Sequence, residues 1–192
     1  MSDIDAAPPP EGDWGALSQL PGNPIMWVLI LSEVVVFGLF LLGFAVTRAL
    51  HPALFHAGQA ALDVRLGGLN TLILVTSGWF AARAVRAVAR GDSRGSRRWL
   101  GAAGSLGVMF LVVKGIEWSR EAALGHGLES DSFFTLFYLM TGFHAAHVIM
   151  GLVVLTIVGW KNSLENLETG AAFWHMVDLI WVILFPVVYL TR

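Results

Sequence analysis

The chain has 192 residues, 56% of them hydrophobic and only 14% charged, with a mean hydropathy of +0.68. Soluble domains carry roughly 45 to 50% apolar residues, so this composition belongs to a membrane protein. The net charge of −2 comes without a basic patch or a Gly-rich phosphate loop, which argues against nucleic acid as a partner, and the absence of cysteine excludes disulfides, iron–sulfur clusters, thiolate metal sites and CxxCH haem attachment.

In chain order, residues 1–25 form a polar tail with Asp3, Asp5, Glu11, Asp13 and a proline run over 8–10, and without Lys or Arg. A secretory leader needs a basic start, so this segment reads as a tail and not as a cleaved signal. Five apolar blocks follow, at about 26–48, 67–89, 98–119, 132–160 and 171–191, each near the ~20 residues that cross a hydrocarbon core. They predict an all-α, polytopic membrane fold, with residues 26–192 as one domain of five spanning helices. The fourth block, at about 29 residues and 1.5 Å per residue, exceeds the bilayer and is expected to tilt or protrude.

Positive charge sets the expected orientation. The connection between the second and third blocks and its flanks hold Arg83, Arg86, Arg90, Arg94, Arg97 and Arg98, joined by Lys161 on the same side, against Arg48, Arg65, Arg120 and Arg192 on the other. Cytoplasmic segments carry the excess of basic residues, which places the N-terminus in the cytoplasm and the C-terminus in the periplasm.

Ionisable residues inside the blocks are the places to look for chemistry, because a charge at mid-membrane costs on the order of 3 kcal/mol even on mild scales. Glu33 stands alone in the run 26–46, roughly 10 Å from the cytoplasmic end of its helix. It reads either as a proton-exchanging carboxyl or as a neutral acid hydrogen-bonded to a neighbouring helix. In the third block Lys114 and Glu117, followed by Arg120 and Glu121, lie at helical spacing and predict a ladder of ion pairs.

The fourth block holds His144 and His147 in GFHAAHVIMG, and the fifth holds His175 and Asp178 in FWHMVDLIW. Histidines three apart share a helix face that suits a metal, and His175 with Asp178 suits a hydrogen-bonded pair. A redox metal centre demands more histidines over more helices, or cysteines, so packing and interhelical hydrogen bonding is the better reading. Gly142, Ala145, Ala146 and Gly151 are expected to give that helix a small-residue face for close approach. Trp27, Trp79, Trp99, Trp118, Trp160, Trp174 and Trp181 fall mostly near block ends and read as an interfacial belt.

Five strings in order, LILSEVVVFGLF, GGLNTLILVTSG, GIEWSREA, SDSFFTLFYLMTGFHAAHVIMG and FWHMVDLIWVILFPVVYL, resemble subunit III of the haem-copper oxidases of the cytochrome c oxidase type. The resemblance covers nearly everything after residue 25. It implies a helical bundle flanking the catalytic subunit I, with no haem or copper of its own; haem and copper, or iron in a nitric oxide reductase, would sit in the partner. It matches Glu33 to the family's buried, carbodiimide-reactive carboxyl near the side of proton uptake, and Glu117, His144, His147, His175 and Asp178 to other recurrent polar positions. It also implies bound phospholipid in a cleft, here lacking one wall, because five spans correspond to the third helix onward of seven-helix members.

Within the family, the acidic tail, LPGNPIMWVLILSE and the ending LIWVILFPVVYL look closer to the NorE-type proteins of nitric oxide reductase clusters. The expected function is therefore a non-catalytic inner-membrane subunit that supports an oxidase or nitric oxide reductase core and assists proton uptake. The alternatives are a small transporter or proton channel, against which the lack of an inverted repeat counts, and a lipid-binding assembly factor.

Overall fold

The computed structural model describes residues 24–161 and 163–191. Six α-helices run in sequence: α1 Pro24–Leu50, α2 Pro52–Ala61, α3 Val64–Ala89, α4 Ser93–Ala123, α5 Ser132–Lys161 and α6 Leu164–Phe185, which continues into a π-helical turn at Pro186–Leu190. Five segments are long and apolar enough to cross a membrane: Met26–Leu50, Val64–Ala89, Ser93–Ala123, Ser132–Lys161 and Leu164–Leu190. The polar tail expected over 1–25 lies outside the described residues, except that Pro24 and Ile25 open α1.

The helices are longer than the apolar blocks, because backbone hydrogen bonding continues past the lipid until a cap ends it. The first turns are set by side chains. Asp63 Oδ1 accepts from Arg65 N–H at 2.9 Å, Asp92 Oδ1 from Gly95 N–H at 2.8 Å, and Asp131 Oδ1 from Phe134 N–H at 2.9 Å. Asp92 thus turns most of the polar GDSRGSR stretch into helix. The links after α3 and α4 use Gly91 and Gly125, whose φ values of 80° and 87° lie in the left-handed region.

The connection over 49–66 is not a loop throughout. Its PALFHAGQAA segment forms α2, begun by Pro52 at the helix start, where a missing N–H costs nothing. Phe55, Gly58 and Gln59 make its buried face. Phe55 packs edge-on against Phe44 of α1 and Phe133 of α5, with ring centroids 5.0 and 5.4 Å away.

Helix α6 is the centre of the bundle, with Leu167, Trp174, Val177, Trp181 and Leu184 buried. Trp174 lies between two glycines: a Cβ added at Gly107 of α4 or at Gly151 of α5 would come within 2.7 Å of its ring. Gly151 therefore serves close approach as expected. Gly142 does not, since a Cβ there would meet nothing within 4 Å.

Helix α1 leans on α5 and α6 along one stripe containing the buried Phe37 and Phe44, and turns Val28, Leu31, Val35, Leu39, Leu42 and Val46 outward. That outward surface is aliphatic apart from small residues such as Ser32, whose hydroxyl bonds back to the Leu29 carbonyl at 2.7 Å.

The tryptophan expectation needs correction. Trp174 and Trp181 are fully buried and hold the helices together through hydroxyl relays. Trp174 Nε1 donates to Ser77 Oγ at 3.1 Å, and Ser77 donates on to the Ala103 carbonyl at 2.7 Å, linking α6, α3 and α4. Trp181 Nε1 donates to Thr71 Oγ1, and Trp118 Nε1 to Thr141 Oγ1. Between spanning helices, where no water competes, such bonds act as the glue that apolar packing cannot supply.

Candidate functional site

Three groups of paired ionisable side chains lie inside the spans. The first joins α1 to α5. Its histidine, His147, places Nδ1 2.8 Å from the carbonyl oxygen of Phe143 and Nε2 2.9 Å from Glu33 Oε2. A carbonyl oxygen only accepts, so Nδ1 carries a proton and donates it. One further proton then decides the state of the pair: it sits on Nε2, giving imidazolium and carboxylate, or on Oε2, giving two neutral groups. Phe37 and Phe143 flank the imidazole at 5.3 and 4.6 Å. The Glu33 side chain retains 18% exposure, so the proton is sheltered but reachable.

The second group is buried between α4 and the end of α6. Lys114 Nζ donates to Glu117 Oε2 at 2.8 Å and to Tyr189 Oη at 2.7 Å, while Tyr189 Oη donates to Glu117 Oε1 at 2.6 Å. Each member touches the other two. The ammonium also lies 4.7 to 5.3 Å from the ring centroids of Phe137, Trp181 and Tyr189, which stabilises a desolvated cation further. This triangle is electrically neutral, and each of its three polar groups is paired with the other two.

Tyr189 reaches this position because Pro186, lacking an N–H, opens the wider π turn. The carbonyls of Val187 and Val188 in that turn accept from Gln59 Nε2 at 3.2 and 3.1 Å. The small helix α2 therefore caps the end of α6. The expected ladder stops at Glu117: Arg120 is exposed, and Glu121 turns away to His126, whose Nδ1 lies 2.9 Å from Glu121 Oε2.

The third group is on α6 itself. His175 Nδ1 and Asp178 Oδ2 are 3.2 Å apart, with the histidine side chain 45% exposed. Gly78 of α3 packs against this pair, and a Cβ there would collide with Asp178 Oδ2.

His144 and His147 share a helix but part company. His144 is fully buried and donates from Nε2 to the Val177 carbonyl at 3.0 Å, its ring set between Phe110 and Trp181. The donor set does not fit a haem or copper centre. Both nitrogens of His147 are engaged, Nε2 of His144 is spent on a carbonyl, and among the described residues no three metal-capable side chains converge.

A family model for cytochrome c oxidase subunit III matches residues 22–191 of this chain. The chain belongs to that family. It is 30% identical to cytochrome c oxidase subunit 3 of Synechocystis over 86% of this chain and 73% of that protein. It is 33% identical to the protein of the same name from Thermostichus vulcanus, over 86% and 85% of the two. A haem-copper oxidase subunit I+III from Aeropyrum pernix is 30% identical over 86% of this chain and 22% of its own length. As a subunit III of the haem-copper oxidase family, the chain is a multi-pass membrane protein and an accessory part of an oxidoreductase complex.

Sequence reasoning placed Glu33 and His147 in this subunit III without joining them. It also missed Tyr189, Gln59 and the tryptophan relays. The available signal was the position of Tyr189 just after Pro186, at the mouth of a span whose neighbour carries the intramembrane Lys114 and Glu117.

Proposed function

We propose that this chain is a non-catalytic subunit held against the catalytic subunit I of a haem-copper oxidase in the bacterial cytoplasmic membrane, which it stabilises and whose proton uptake it assists. The observation that carries the proposal is the match of residues 22–191 to cytochrome c oxidase subunit III. The fused name of the Aeropyrum pernix relative, subunit I+III, supports direct contact between the two kinds of subunit. Haem and copper belong to the partner, since His144 and His147, the paired histidines of the fourth span, are committed to carbonyls and a carboxyl. Phospholipid covers the aliphatic outer faces.

The Glu33–His147 pair is the part of the chain suited to protons. It holds one movable proton at a partly exposed place. The basic-residue count puts that place toward the cytoplasm, the side of proton uptake. An accessory carboxyl of this kind supplies protons to a neighbouring path without being the path.

Purification through a tag on this chain in mild detergent tests the reading. Copurified a-type or o-type haem with oxygen reduction is the expected result. Haem b with nitric oxide reduction would instead assign the NorE-type partner, and an intact, fully active complex lacking the chain would contradict the supporting role.

A further inference from the structure

Helix α6 is buried along most of its length, yet its open stripe carries an ionisable pair at the worst depth for lipid. The span runs Leu164–Leu190, so Val177 is its middle residue and His175 and Asp178 flank it. The side chain of His175 is 45% exposed and that of Asp178 16%. Leu179 and Ile183, exposed by 55% and 45%, continue the stripe at helical spacing.

At one end of this stripe His175 opens into a groove. A space of about 400 Å³ opens between α1 and α3, lined by Trp27 of α1, Val85 and Arg86 of α3, and Glu168, Ala172 and His175 of α6. The other outward faces differ in kind. Helix α4 shows Val108, Val112 and Ile116, and α5 shows Ile149, Val153 and Ile157, all suited to acyl chains. In spanning helices, ionisable groups face protein or a water-filled cavity, because hydrocarbon offers them no partner. Acyl chains over His175 would leave Nε2 without a hydrogen bond, whereas a neighbouring polytopic subunit can provide one.

Resting on the reading above, we propose that the groove between α1 and α3 is the face on which the catalytic subunit docks. One of its spanning helices brings a polar side chain to His175. Arg86 and Glu168, of opposite sign toward the basic end of the groove, fix the register with charges of the partner.

The test is site-directed photo-crosslinking in cells that make the complete oxidase. A benzophenone amino acid is placed at Leu179, one turn along the stripe from His175, or at Ile157 on the far face, and the complex is purified through a tag on this chain. The expected result is a covalent link from position 179 to the catalytic subunit and from position 157 to lipid alone. If the catalytic subunit copurifies but position 179 links only to lipid or to a second copy of this chain, the docking face is wrong while the partnership stands. If the catalytic subunit never copurifies, the partnership itself fails. His175→Leu gives an independent check, since a half-exposed position tolerates the change without unfolding. Retention of the catalytic subunit in detergent should fall roughly threefold or more, the worth of one interhelical hydrogen bond, and unchanged retention would overturn the role of the pair.

Discussion

Glu33 Oε2 stands 2.9 Å from His147 Nε2, and the opposite nitrogen of the same ring is committed to the Phe143 carbonyl 2.8 Å away. The geometry fixes one proton and leaves one to be shared. Neutral His147 is therefore the Nδ1–H tautomer, whose bare Nε2 accepts from the carboxyl. Nitrogen NMR of the histidine-labelled subunit checks this: a pyrrole-type signal from Nδ1 is expected, and a protonated Nε2 beside a bare Nδ1 would contradict it.

The Lys114–Glu117–Tyr189 triangle is closed, so removing one corner strands another. Lys114→Met leaves the Glu117 carboxylate 1% exposed with a single phenol as partner. Breaking a buried ion pair on one side costs about 3 to 5 kcal/mol. Thermal unfolding of the detergent-solubilised chain should show that loss, and the Lys114→Met, Glu117→Gln double variant should recover part of it. Equal stability of the wild type and the single variant would mean that the triangle is not formed.

Gln59 caps the π turn at the end of α6 through the carbonyls of Val187 and Val188. Gln59→Leu leaves the buried Val188 carbonyl unpaired, while the Val187 carbonyl keeps the Thr191 hydroxyl 2.7 Å away, at a cost of about 1 to 3 kcal/mol. Hydrogen exchange over 186–191 should speed up in that variant while α3 stays protected. Unchanged protection of the turn would show that α2 does not hold it.

The relay from Trp174 through Ser77 to the Ala103 carbonyl ties three helices. Trp174→Phe and Ser77→Ala each break it, so their costs should not add. A double-mutant cycle measured by thermal unfolding is expected to give a coupling of about 0.6 to 1.7 kcal/mol. Strict additivity would mean the two side chains act separately.

Spanning segments were legible in the sequence because hydropathy reads what lipid demands, and the pair His175–Asp178 was legible because three-residue spacing fixes a helix face. The ends of the helices were less so. Asp92 and Ser163 cap helical turns that lie outside the apolar blocks, where hydropathy carries no signal. Partners across helices were invisible for a different reason. His147 meets Glu33 at a separation of 114 residues, and Lys114 meets Tyr189 at 75, contacts that depend on packing order and not on any local pattern. Trp174 and Trp181 were misassigned because sequence position alone cannot tell an indole facing headgroups from one donating into the bundle.

The central claim is that Glu33 is an auxiliary carboxyl of an accessory subunit and not a catalytic acid. Glu33→Gln keeps an amide N–H to donate to His147 Nε2, so the α1–α5 contact survives and the complex assembles. Oxygen consumption by the purified variant complex, followed through sustained turnover, tests the claim most directly. An initial rate close to wild type with an earlier decline is the predicted result; complete loss of initial activity in a fully assembled complex would contradict it.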